Sequence, residues 1–98
     1  MLYIVQFTDD PAKSNVRTEQ MAAHLEFLDG MRERVLVPGS LREIPTDRPL
    51  GGLWIVDAES EAAVREIFAS DPFWVNGLRA GVTIYRWNKA FPERRVEI

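Results

Sequence analysis

The sequence predicts an α+β fold of the ferredoxin-like kind, a βαββαβ unit whose four-stranded antiparallel sheet carries both helices on one face. Three observations lead there. The chain is 98 residues long, room for one domain spanning 1–98. Its apolar segments alternate between strand-like and helix-like periods in the order strand, helix, strand, strand, helix, strand. The first and third strands carry apolar residues in both phases, as expected of strands packed on two sides.

Leu2 to Phe7 is rich in β-branched and aromatic residues and stops at Thr8-Asp9-Asp10-Pro11, which reads as a strand and a loop. Ser14 or Asn15 is the expected cap of the following helix, in which Met21, Leu25 and Leu28 recur at helical spacing beside His24, Phe27 and Met31. Gly30 weakens its last turn by roughly 1 kcal/mol relative to Ala. Val35 to Leu41 reads as a strand interrupted by Pro38-Gly39. A proline cannot donate to a ladder, so this strand belongs at an edge or a bulge.

A loop with Pro45, Asp47, Pro49 and Gly51-Gly52 then leads into Leu53-Trp54-Ile55-Val56, an apolar run suited to a central strand. Ser60 is a good cap for a second helix with the stripe Val64, Ile67 and Phe68. Asp71-Pro72 ends it, because the residue before proline avoids helical dihedrals. Phe73 to Gly77 is a short turn, and Gly81 to Trp87 is the last strand. Residues 88–98 form a C-terminal arm.

Composition narrows the function classes. With 46% hydrophobic residues, three Trp and five Phe, the chain has enough apolar surface to offset the entropy of ordering, so it is a folded domain. No apolar run approaches the ~18 residues of a membrane helix, and no membrane partner is expected. The opening Met-Leu-Tyr-Ile-Val lacks a basic region and a cleavage site, so no signal peptide is expected. Cysteine is absent, which removes disulfides and thiol chemistry and makes the cytoplasm the expected location. The net charge is −3, and the densest basic pair, Arg94-Arg95, sits between Glu93 and Glu97. That is no phosphate-binding face, so nucleic acid is not an expected partner.

The sheet face opposite the helices is expected to be apolar and bare. Such a face marks an association surface, and a second copy of the chain would close it into a two-fold homodimer.

Few residues can carry chemistry. His24 is the one histidine; it suits a general acid or base, or else is a half-buried helix residue. Asp71 is either local turn chemistry before proline or the carboxylate that orients His24. Ser40 is a donor to a substrate oxygen or a polar turn residue. Trp74, near Asp71 in sequence, is the aromatic most suited to touch a ligand. No metal-ligand spacing and no nucleotide fingerprint occurs, so neither a metal nor a cofactor is expected. Asp9-Asp10 reads as a solvated turn.

Several segments together resemble the YCII family: His-Leu-Glu-Phe-Leu at 24–28, Pro-Gly-Ser-Leu at 38–41, Gly-Gly-Leu-Trp-Ile at 51–55, Ser-Asp-Pro-Phe at 70–73 and Tyr-Arg-Trp at 85–87. Their order spans Leu2 to Trp87. The resemblance implies a dimeric α+β barrel with a pocket holding a His and an Asp, here His24 and Asp71. Ser40 matches a small polar residue that follows the family's glycine after the second strand. It also implies acid–base work, such as elimination or dehydrohalogenation, on small ring compounds. The chain departs from the family between Gly30 and Val37, and has Val37-Pro38-Gly39 where an Ala-Gly step is more usual.

The leading expectation is a cofactor-free lyase or isomerase acting on a small cyclic or phenolic substrate through His24 and Asp71. A non-catalytic ligand-binding or accessory domain that dimerises is the second. Muconolactone isomerases share the architecture, but no matching catalytic pattern is present.

Overall fold

The computed structural model describes residues 1–98. The alternating run at the N-terminus forms β1 (Leu2–Asp9), longer than its apolar residues alone predict. A single 3₁₀ turn follows at Pro11–Lys13, then α1 (Ser14–Glu19) and α2 (Met21–Gly30). The remaining elements are β2 (Val35–Arg42), β3 (Pro49–Asp57), α3 (Glu61–Phe68), α4 (Pro72–Val75) and β4 (Arg79–Trp87). The sheet order is β2-β3-β1-β4 and all pairs are antiparallel, so the fold is the ferredoxin-like α+β unit. No helix is long and apolar enough to cross a membrane.

Every other residue of β1, namely Tyr3, Val5 and Phe7, points into the core together with Trp54 and Val56 of β3. The stripe Val64, Ile67 and Phe68 of α3 packs onto them, and Ser60 caps that helix by accepting the Ala63 N–H at 3.1 Å. Phe7 is central: its ring meets Trp54 at 4.9 Å and Phe68 at 5.5 Å, both edge to face.

Four local expectations are corrected. Neither Ser14 nor Asn15 caps the first helix; Asp10 takes that task one turn earlier, accepting the Ala12 N–H at 2.9 Å. The first helix is kinked at Gln20 (φ −105°, ψ 7°), although the bonds Gln20 N–H to Val16 and His24 N–H to Gln20 run through the kink. The buried side of α2 is His24 and Leu28, flanked by Phe27 and Met31, while Leu25 is 56% exposed. Gly51 and Gly52 lie inside β3 rather than in a loop, because both are pressed against other backbone or side-chain groups. A Cβ on Gly51 would overlap the Phe7 carbonyl, and one on Gly52 would lie 3.2 Å from the Gly39 carbonyl oxygen.

Of the three register shifts in the sheet, two put an extra residue into an edge strand and decide which of its side chains face the helices. Val35 pairs with Val56 but Val37 pairs with Ile55, so Leu36 is an extra residue in the edge strand β2. Thr8 pairs with Gly81 but Asp9 pairs with Arg79, so Ala80 is extra in β4. Each shift moves the residues beyond it to the other face of the sheet.

The face away from the helices bears Leu2, Ile4, Leu53, Ile55, Tyr85 and Trp87. The arm, residues 88–98, runs along one corner of it, where Phe91, Val96 and Ile98 share a groove with Leu2, Ile55 and Trp87.

Candidate functional site

The turn between α3 and α4 builds the first part of the site. Asp71 precedes Pro72 and caps α4, its Oδ1 accepting the Phe73 N–H at 3.1 Å. The same oxygen lies 2.7 Å from His24 Nδ1, across 47 residues of sequence. The bland and the chemical readings of Asp71 therefore describe one atom with two partners. The side chains are 8% and 1% exposed, so the pair is shielded from competing water.

An ionised carboxylate only accepts, so opposite one Nδ1 is the donor; in the neutral imidazole that tautomer leaves the lone pair on Nε2. Nε2 bonds no protein atom, is not sealed off, and belongs to a ring that lines a cleft. Phe73 supports that ring from below, stacked at 3.7 Å and 8° from parallel. Asp71 Oδ2 is buried without a hydrogen-bond partner. The charge of Arg79 is near enough to interact favourably with this carboxylate.

The cleft opens between α1, α2 and β2 and holds about 310 Å³. That is the low end of the usual range for small-molecule sites and matches a single ring. Trp54 and Phe73 form apolar wall, with Met21 and Leu25 beside them; this explains why Leu25 is exposed. Ser40 lines the cleft from β2, where the extra residue at Leu36 turns it to the helix side opposite Gly52. Its Oγ accepts a long 3.4 Å bond from Arg42 Nη1, and the hydroxyl hydrogen is left to donate elsewhere.

Arg17, Arg42 and Arg79 complete the lining. Asp9 sits between two of them, with Arg17 Nη2 and Arg79 Nη1 each 2.6 Å from one of its oxygens. Arg17 also donates to the Gly51 carbonyl at 3.3 Å. Burial pushes the pKa of Arg79 below the usual arginine value, and Arg17 adds to that. The bond to Asp9 and the charges of Asp9 and Asp71 act the other way, and the guanidinium stays charged.

The structure thus brings His24 and Ser40 to one cleft, with Asp71 buried behind the His24 ring and bonded to it. Trp74 is elsewhere: it packs against Phe68 at 4.6 Å and Phe7 at 6.3 Å, and does not line the cleft. Trp54 has the place expected of Trp74, because α4 is a single turn that directs Phe73 to the cleft and Trp74 to the core. Asp9 is not a solvated turn residue but the junction of two ion pairs, with its side chain 9% exposed. Arg17, Arg79 and Phe73 are site residues that the sequence reading passes over. The one signal for Arg79 is a charge at the start of a strand that continues Ala80-Gly81-Val82. Strict alternation from Val82 and Ile84 would put it on the wrong face, and the shift at Ala80 reverses that.

The model of the YCII-related domain matches residues 1–88. No curated protein matches the chain. Among solved structures, 5-chloro-2-hydroxyhydroquinone dehydrochlorinase (TftG) from Burkholderia phenoliruptrix AC1100, in complex with 2,5-dihydroxybenzoquinone, is 30% identical with a TM-score of 0.81. The match covers 90% of this chain and 94% of that one. A Bacteroides thetaiotaomicron protein assigned to the antibiotic biosynthesis monooxygenases shares the fold at 17% identity and a TM-score of 0.59, over 99% of this chain and 95% of that one.

Proposed function

Because the chain belongs to the YCII-related domain family, we propose that it is a small-molecule enzyme of lyase or isomerase type, moving a proton on a small hydroxylated ring without a cofactor. The observation that carries this reading is the His24 geometry: Nδ1 lies 2.7 Å from a buried carboxylate, Nε2 has no protein partner, and the ring lines a cleft of one-ring size. The dehydrochlorinase activity of the 30% identical neighbour supports the same class of chemistry.

In this mechanism Nε2 takes a proton from a ring hydroxyl or ring carbon, as general base. Asp71 stabilises the imidazolium that forms and keeps its plane fixed. In an elimination from a chlorinated hydroquinone, one hydroxyl proton is moved by His24 to the ring carbon that bears chlorine, giving the ketone tautomer; loss of the second hydroxyl proton then drives electrons through the ring and expels chloride. The products are the quinone, a proton and chloride. In an isomerisation the imidazolium returns the proton at a different carbon. Ser40 donates to the oxygen on which charge develops.

The working unit is a homodimer paired through the open sheet face, where Tyr85 and Trp87 are 55% and 38% exposed. The cysteine-free composition favours a cytoplasmic setting.

The deciding experiment follows loss of a chlorinated hydroquinone by wild-type protein and by His24→Ala. Turnover that disappears in the variant, with an unchanged circular dichroism spectrum, is the expected result. Turnover that survives removes His24 from the mechanism. Binding without any turnover in the wild type would favour a ligand-binding domain instead.

A further inference from the structure

The cleft carries more positive charge than proton transfer at His24 requires. Three guanidiniums line it, in a protein whose net charge is −3. Asp9 is shared between Arg17 and Arg79, so that trio keeps one positive charge in excess; the further carboxylate that acts on Arg79, Asp71, is bound through Oδ1 to His24 and the Phe73 N–H. Arg42 is paired at 2.7 Å with Asp47, which is 77% exposed and therefore a weak counter-charge.

Arg79 is the least hydrated of the three. Its side chain is 3% exposed and its Nε is buried without a partner. Nη2 also bonds no protein atom, yet it is not sealed off from the cleft that Arg79 lines. Gly52 makes room for it, since a Cβ there would lie 3.0 Å from Nη2. His24 and Arg79 both rest against the Phe73 ring, at 3.7 Å and 5.2 Å, and both line the same cleft.

An uncharged ring gains little from such a wall. An ionised oxygen gains a charge-assisted hydrogen bond about twice as strong as a neutral one. It also gives the desolvated guanidinium a partner for Nη2, beside the Asp9 carboxylate that Nη1 shares with Arg17.

We propose that Arg79, with Arg17 and Arg42 at the rim, is an anion subsite, and that the cleft takes its ring substrate already ionised, with a ring oxyanion against Arg79 Nη2. This rests on the reading of the cleft as a small-ring site and adds the charge state that it selects.

The test is equilibrium binding of 2,5-dihydroxybenzoquinone, ionised at neutral pH, and of its uncharged analogue 2,5-dimethoxybenzoquinone. Wild type, Arg42→Gln and Arg79→Lys are compared by tryptophan fluorescence quenching. The wild type is expected to prefer the anion by about tenfold or more. Arg79→Lys loses most of it, because an ammonium cannot present the planar fork that meets both Asp9 and the ligand. Arg42→Gln, on the exposed rim, lowers it by about threefold and reports even where Arg79→Lys folds poorly. Equal affinity for the two quinones, no binding of either by folded wild type, or a preference that survives both arginine variants overturns the subsite. A charge preference without turnover of any hydroxylated ring would sink the enzyme reading and leave the subsite standing. Turnover with charge-blind binding would do the reverse.

Discussion

The His24 imidazole lies flat on the Phe73 ring, with centroids 3.7 Å apart and the planes 8° from parallel. Phe73 follows Asp71 by two positions, and its N–H donates to the same carboxylate oxygen that His24 reaches. One tight turn therefore sets both the tilt of the imidazole and the direction of its Nδ1–H.

Removing the stack while keeping an apolar filler isolates the tilt. Phe73→Leu is expected to lower stability by about 1–2 kcal/mol, as a shape change in a buried site does. It should also lower kcat by roughly tenfold with little change in KM, since misaligned bases lose rate more than binding. Denaturant titration and steady-state kinetics on the same preparation read both effects.

Asp71 has two tasks that two substitutions separate. Asn keeps an oxygen for the Phe73 N–H and for His24 Nδ1, so Asp71→Asn should fold with the cap intact. Its neutral amide cannot stabilise the imidazolium, and kcat should fall by about a hundredfold or more. Asp71→Ala loses the cap as well and should be less stable than Asp71→Asn by about 1 kcal/mol. An unchanged kcat in Asp71→Asn would contradict the role given to the carboxylate charge.

The glycine pair in β3 makes a local prediction. Gly51→Ala drives a methyl into the Phe7 carbonyl and should destabilise the fold by about 3 kcal/mol. Gly52→Ala meets the movable Arg79 guanidinium first, although the Gly39 carbonyl oxygen is also close. It should be the milder of the two in a thermal melt and should weaken quinone binding.

Asp9 holds two arginines at 2.6 Å with its side chain 9% exposed. Asp9→Asn leaves both cations without a counter-charge at the end of β1. A loss of about 3 kcal/mol or more is expected in urea unfolding, as for a broken buried pair. A change within about 0.5 kcal/mol, typical of surface sites, would show that the trio is not structural.

Sedimentation equilibrium checks the proposed pairing. Wild type should run at about twice the 11.2 kDa chain mass, and Ile55→Lys, which charges the middle of the open face, should run as monomer. A wild type that stays monomeric at all concentrations ends the dimer reading.

What was legible in the sequence was local. Ser60 caps α3 because its hydroxyl competes for the same N–H in any context, and Val64, Ile67 and Phe68 form one stripe between charged neighbours. Pro38 forces β2 to an edge because it has no N–H to donate. α2 was less legible: apolar side chains surround most of the helix, so periodicity alone does not choose between a face centred on Leu25 and one centred on His24.

The sequence by itself determined the element order, the ferredoxin-like topology and the residue types available for chemistry. The contact of His24 with Asp71, expected from family resemblance rather than from spacing, is a fact of tertiary structure, since 47 residues separate them. Tertiary structure alone decided the rest of the cleft. One extra residue at Leu36 turns Ser40 inward, and another at Ala80 turns Arg79 inward to meet Asp9. A strand's period of two makes side-chain direction depend on every residue of register, and register is set by the partner strand.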